Sequence, residues 1–261
     1  MSLQPKLRRV HVVGAGLAGL AASLRLAEAG VAVVLHDAAR QAGGRCRSYH
    51  DATLGCRIDN GNHLLIAGNR AAMAYLGAIG AANTLIGPEE PAYPFLDLAT
   101  GERWAVRPNA GRLPWWLLDP GRRVPGTRPL DYLRALRIAA ARRNDTIIDV
   151  LDRRATIFRR LWQPLAVAAL NTEVEHGAAR LLGRVLRESF GAGGSACRPL
   201  VPKEGLSESL VDPALKRLAA LGAEVRLGSR LRGIEFAGDR VAKLTLDDSS
   251  ESLAADEAAV L

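Results

Sequence analysis

Lysine is scarce in this chain. Only four of its 35 cationic residues are Lys, at positions 6, 203, 216 and 243, and no run of Arg exceeds two. A nucleic-acid binder concentrates its cations in a run or on one face, so the net charge of +8 points instead to an anionic cofactor or a membrane surface, with no nucleic acid as partner. Cysteine is scarce too. Cys46, Cys56 and Cys197 cannot pair completely and show neither a CxxC nor a Cys/His ligand spacing. That argues against a disulfide framework and a structural metal, and it fits a reducing, cytoplasmic compartment. Long apolar runs are missing: none approaches the ~20 residues of a spanning helix, so any membrane contact is expected to be peripheral. Lys6, Arg8 and Arg9 before the apolar stretch 10–26 imitate a signal peptide, but that stretch carries His11, three spaced glycines and Arg25, and another apolar strand follows it. Tandem repeats and low-complexity tracts are absent as well.

The remaining composition, 48% hydrophobic and 24% charged over 261 residues, is that of a folded α/β protein with one large domain or two smaller units. Val10–Val13 reads as a buried strand, followed at once by Gly14-Ala-Gly16-Leu-Ala-Gly19. A helix is predicted from about Leu17 to Ala29, with Leu20, Leu24 and Ala27 on one face and Gly30 as its stop. Val31–Leu35 is a second strand, and Asp37 stands at its end. Strand, glycines, helix, strand and acid in this order form a dinucleotide-binding unit. Gly14 suits the tight turn, Gly16 lets the backbone approach a pyrophosphate, Gly19 allows close helix–sheet packing, and Asp37 can accept from ribose hydroxyls. Glycines used only for packing are the plainer alternative.

Gly43-Gly44-Arg45 follows six residues after Asp37. Paired glycines can present N–H groups to an anion and Arg45 can contact phosphate, although turn chemistry with a surface Arg explains the same residues. Asp59-Asn-Gly-Asn-His63 is a polar turn between apolar neighbours, facing a ligand or simply capped. Further on, Asn69 can cap a helix carrying Ala72, Tyr75, Leu76 and Ile79, and a hairpin is expected around Thr100-Gly101. Leu113-Pro-Trp-Trp-Leu-Leu118, bordered by Arg107, Arg112, Arg122 and Arg123, reads as a loop that dips into a membrane interface or folds its Trp residues into a core. From Leu130 to Glu188 the pattern is helical, with Pro164 interrupting or kinking it and Leu181, Leu182, Val185 and Leu186 marking a buried face. Gly191–Ser195 reads as a flexible break. A helix over Ser207–Leu221, a strand over Glu224–Leu227 and a hairpin turning at Gly238-Asp239 complete the pattern.

Taken together, the glycine fingerprint, the acid at 37 and Gly43-Gly-Arg45 resemble the flavoprotein superfamily of amine oxidases, protoporphyrinogen oxidase and carotenoid desaturases. Gly44-Arg-Cys-Arg-Ser48, Ile58-Asp-Asn-Gly-Asn-His63, Asp97–Glu102, Leu113–Trp116, Pro164–Thr172 and Gly205-Leu-Ser-Glu208 resemble one branch of it, the squalene-associated FAD-dependent desaturases known as hydroxysqualene dehydroxylases of hopanoid synthesis. The resemblance implies a Rossmann-like FAD-binding domain made of residues 1–66 and 200–261, with an inserted, mainly helical substrate domain over 67–199. It implies that Gly14, Gly16, Gly19, Asp37, Gly43, Gly44 and Arg45 hold FAD, and that the substrate is a polyprenyl lipid. Family members more often carry Glu where this chain has Asp37, and they continue past residue 261, so truncation at the C-terminus is expected. The implied reaction is reductive removal of a hydroxyl, for which Asp59 and His63 are the candidate proton donors. An amine oxidase, a carotenoid-type desaturase, and a non-catalytic nucleotide- or polyprenyl-binding fragment are the competing readings. The redox donor is not indicated.

Overall fold

The structure, a computed structural model, describes residues 7–61, 63–247 and 249–261; Lys6 and Asn62 lie outside them. The first elements are β1 (Arg9–Val13), α1 (Leu17–Glu28), β2 (Ala32–Asp37), β3 (Ser48–Asp51), β4 (Cys56–Asp59), β5 (Leu65–Ile66), α2 (Arg70–Ala78), β6 (Leu85–Ile86), β7 (Tyr93–Leu96) and β8 (Arg103–Val106). A helical stretch follows: α3 (Pro129–Leu133), α4 (Leu136–Ala139), α5 (Ile147–Val150), α6 (Gln163–Leu170) and α7 (Ala179–Glu188). The chain ends with β9 (Pro199–Pro202), α8 (Asp212–Ala220), β10 (Glu224–Leu227), β11 (Leu231–Ala237), β12 (Arg240–Leu246), β13 (Ser250–Ser252) and β14 (Glu257–Val260). These gather into two bodies, one of residues up to His63 with Ala72–Ile86 and Val201–Leu261, the other of Leu64–Ala71 and Gly87–Leu200.

The first body is built on a four-stranded parallel sheet in the order β10-β2-β1-β14. Alternation sets its faces. Val10 and Val12 of β1 and Val33 and Leu35 of β2 point to one side, where they bury against Leu20 and Leu24 of α1 and Leu218 of α8. Each such Leu contributes roughly 2 kcal/mol by leaving water. Both flanking strands come from after residue 200: β10 pairs with β2 through Val225↔Leu35, and β14 pairs with β1 through Val10↔Ala258. β11, β12 and β13 form a separate antiparallel sheet of the same body. The expected uninterrupted substrate segment 67–199 differs here, because residues 72–86 belong to the first body. Leu76, Ile79 and Ala81 are buried in its core, and the Tyr75 hydroxyl donates to the Leu210 carbonyl at 2.7 Å.

The second body has the β7–β8 hairpin and a core containing Val106, Trp116, Tyr132, Ile138, Phe158, Trp162 and Leu182. Leu113–Leu118 contains a 3-10 turn over Trp115–Leu118 that sends its two indoles apart: Trp116 meets Tyr132 edge-on at 5.4 Å, while Trp115 is half exposed. Pro164 does interrupt the helical run as expected: residues 156–170 stay helical, but the turn over Phe158–Trp162 just before the proline widens to a π-helix. Two expectations are corrected. Leu181 is exposed beside the fully buried Leu182, since one step around a helix is about 100° and carries it off the inward stripe. Gly191–Ser195 is closely packed: the Ser195 amide donates to the Ala110 carbonyl at 3.2 Å, and a Cβ at Gly194 would collide with the Asn109 carbonyl.

Candidate nucleotide site

The first body brings the two glycine clusters together. The Gly43 amide donates to the Ala15 carbonyl at 2.7 Å, Gly16 and Gly43 form a parallel bridge, and a Cβ on Gly44 would lie 3.4 Å from the Gly16 Cα. Gly14 has a φ of +106°, and Gly19 and Gly43 are required by close approach. A side chain at Gly19 would collide with the Gly14 carbonyl as α1 passes over the turn, and Gly43 combines a φ of +104° with a Cβ path blocked by the Cys46 carbonyl. Gly16 is different, for an added Cβ there meets nothing within 4 Å. It is the N-cap of α1, with no side-chain cap and no acid in the first turn. The first amides of a twelve-residue helix therefore face open space with their partial positive charge.

Asp37 ends β2 beside this loop, half buried. Its two carboxylate oxygens accept from the Ala15 amide at 2.6 Å and the Ala39 amide at 2.7 Å, so the acid fixes the glycine turn and retains lone pairs for another donor. Arg45 is exposed, and its carbonyl accepts from the Asn60 side chain at 3.1 Å. Two residues on, the Nε of Arg47 is buried without a hydrogen-bond partner. An open glycine, an uncapped helix start and an orphaned guanidinium nitrogen fit an anionic nucleotide.

Asp59 is engaged elsewhere. Its Oδ1 accepts from the Ser48 hydroxyl at 2.6 Å and the Leu206 amide at 3.0 Å, while Ser48 and Ser207 exchange amide-to-hydroxyl bonds of 2.8 and 3.0 Å. Glu208 accepts from the same Ser48 hydroxyl at 3.3 Å and pairs with Arg57. This polar clasp ties the β3–β4 hairpin to the start of the helical segment after Gly205, where any Cβ would run into Glu208 and Ser48. Sequence reading missed the roles of Ser48 and Ser207; the Gly205–Glu208 motif was visible but its partner lay about 150 residues away. His63 is exposed, and among the described residues it joins no polar cluster. The cysteines are unpaired, with burial pushing the Cys46 thiol up to about 11 and the Cys197 thiol to about 12. Among the described residues no group of His, Cys, Asp or Glu could hold a metal ion, and no helix is long and apolar enough to cross a membrane.

The second body carries a cavity of about 750 Å³. Trp116, Tyr132, Ile138, Trp162 and Phe190 help to form its walls, and among the described residues its only charged lining residues are Arg143, Arg180, Arg184 and Arg187.

A parallel sheet with this glycine turn, helix start and acid makes this an α/β protein with a candidate site for an anionic cofactor. The family model of flavin containing amine oxidoreductases matches residues 17–260, and the chain belongs to that family, which supports a flavin as its cofactor. It is 47% identical over 255 residues to a hydroxysqualene dehydroxylase of Rhodopseudomonas palustris and 42% identical over 254 residues to one of Sinorhizobium fredii. Each match covers 97% of this chain and 61% of the relative, so the chain spans about three-fifths of their length. Among solved structures, an oxidoreductase from Methanosarcina mazei matches with a TM-score of 0.67 at 17% identity, over 94% of this chain and 57% of that one; this likeness concerns the fold alone.

Proposed function

We propose that the intact protein is an FAD-dependent oxidoreductase that converts hydroxysqualene to squalene. The observation that carries this reading is the 47% identity to a hydroxysqualene dehydroxylase across nearly the whole chain. The glycine site supports FAD as the flavin: Gly14, Gly16, Gly19, Gly43 and Gly44 provide close backbone approach to a pyrophosphate, Arg45 and the unpartnered Arg47 stand near enough in sequence to add charge, and Asp37 serves the ribose. Of the two bodies, the one with the parallel sheet is assigned to the cofactor and the helical one to the substrate, as an inserted domain.

In the balanced reaction the allylic C–O bond breaks, the oxygen takes up a proton and leaves as water, and a C–H bond forms at the carbon. Reduced flavin supplies the hydride. The protein's share is to hold a C30 hydrocarbon away from water. The cavity of the second body suits that role: its volume falls within the roughly 300–1,000 Å³ of small-molecule sites, and aromatic and aliphatic side chains dominate its walls. Through Oδ1, which accepts from the Ser48 hydroxyl and the Leu206 amide, Asp59 holds the β3–β4 hairpin in place. The test is product analysis of the intact protein with hydroxysqualene, the flavin preset in either redox state. Squalene formed only with reduced flavin supports the proposal. A more unsaturated product formed with oxidised flavin would instead make the protein a desaturase.

A further inference from the structure

The cavity of the second body opens among leucines that a water-facing helix would not show. Leu133, Leu136 and Leu181 line it and are 50%, 67% and 57% exposed. Isolated exposed leucines are ordinary, but three around one apolar mouth make a patch that expects a partner.

The charge around that mouth selects the partner. Arg143, Arg180, Arg184 and Arg187 line it, all exposed, and no carboxylate does. Of these, Arg184 pairs with Glu188, while Arg143, Arg180 and Arg187 have no acidic partner among the described residues. Arg180, Arg184 and Arg187 recur at i, i+4 and i+7, so α7 presents them on one face. Although no Arg run exceeds two, residues 107–143 hold nine arginines against two aspartates, with no Lys or Glu. That segment therefore carries +7 of the net charge of +8, which leaves the rest of the chain nearly neutral. It also contains the exposed Leu113, Trp115 and Leu118.

We propose that this face docks the protein on an anionic lipid bilayer, with the leucines entering the interface and the arginines meeting the headgroups. A bilayer satisfies both features at once: acyl chains cover the leucines, while long Arg side chains reach the phosphate level. The cavity mouth then opens towards the hydrocarbon. Docking goes beyond the reaction proposed above and needs neither flavin nor turnover, so the failure of one reading can be told from the failure of the other.

Co-sedimentation with vesicles tests it, using phosphatidylcholine alone and phosphatidylcholine with about a third phosphatidylglycerol. Binding to the anionic vesicles is expected to be about a hundredfold tighter, from three unpaired arginines, and to weaken with salt. Each cation at such a surface contributes about fivefold in partitioning, so the double variant R180Q/R187Q should lose about thirtyfold. L133S/L136S should also bind more weakly, and both double variants should keep the parent unfolding temperature. Equal binding to the two vesicle types would overturn the proposal. So would absence of vesicle binding together with self-association that L133S/L136S abolishes, since the patch would then join copies of the chain.

Discussion

At Gly16 an added Cβ finds open space, whereas at Gly19 it strikes the Gly14 carbonyl, and this contrast separates a ligand-facing glycine from a packing one. Gly16 has an extended backbone, φ −72° and ψ 175°, which valine adopts readily. Gly16→Val in the intact protein should therefore lose its flavin and unfold at the midpoint of the flavin-free parent; an unaltered flavin-to-protein ratio would refute the assignment. A second residue-scale feature lies on the other face of the sheet. His11 and His36 stack, with Nδ1 of one 3.1 Å from Nε2 of the other, both buried. Burial pushes both below the usual imidazole value, His36 to about 4, aided by repulsion from its neighbour and from Arg226. Arg9 and Arg226 also act against the charging of His11; Glu251 and Glu257 partly offset this at His11, and Glu251 and Glu224 at His36. The folded state thus binds fewer protons than the unfolded one. Its stability should be full above about pH 6.5 and fall by on the order of 3 kcal/mol as pH drops towards 4. Denaturant titrations across that range check this, and His36→Leu should flatten the slope.

Among elements, the β1–α1–β2 unit was fully legible, because every signal that makes it lies within 29 residues and the two periodicities switch cleanly between strand and helix. The glycine spacing and the strand-end acid were legible for the same reason. What the sequence hid was long-range. That α2 packs with the parallel-sheet body depends on Leu76 and Tyr75 meeting Leu210, and Leu181 looked inward because hydrophobicity does not record which side of a helix stays open. The polar turn at Asp59 was visible, but not its partners Ser48 and Leu206. Asp59→Asn should lower stability by about 1 kcal/mol, since it replaces the charged acceptor of a buried hydroxyl and an amide with a neutral one. A catalytic acid would instead show a lost pH dependence of turnover with little change in stability. Unfolding and pH–rate curves of this variant distinguish the two.

For the whole molecule, the sequence's basic balance proved less even than its short Arg runs suggested, since nearly all the net charge sits in residues 107–143. The chain belongs to a flavin family, and the central claim of the account is that the intact protein spends the hydride of reduced flavin on a departing hydroxyl. An anaerobic single-turnover titration tests it most directly: the intact protein, its flavin fully reduced, is mixed with hydroxysqualene while the flavin absorbance and the products are followed together. One squalene should appear for each flavin reoxidised. Squalene formed while the flavin stays reduced, or flavin reoxidation without squalene, would contradict the account.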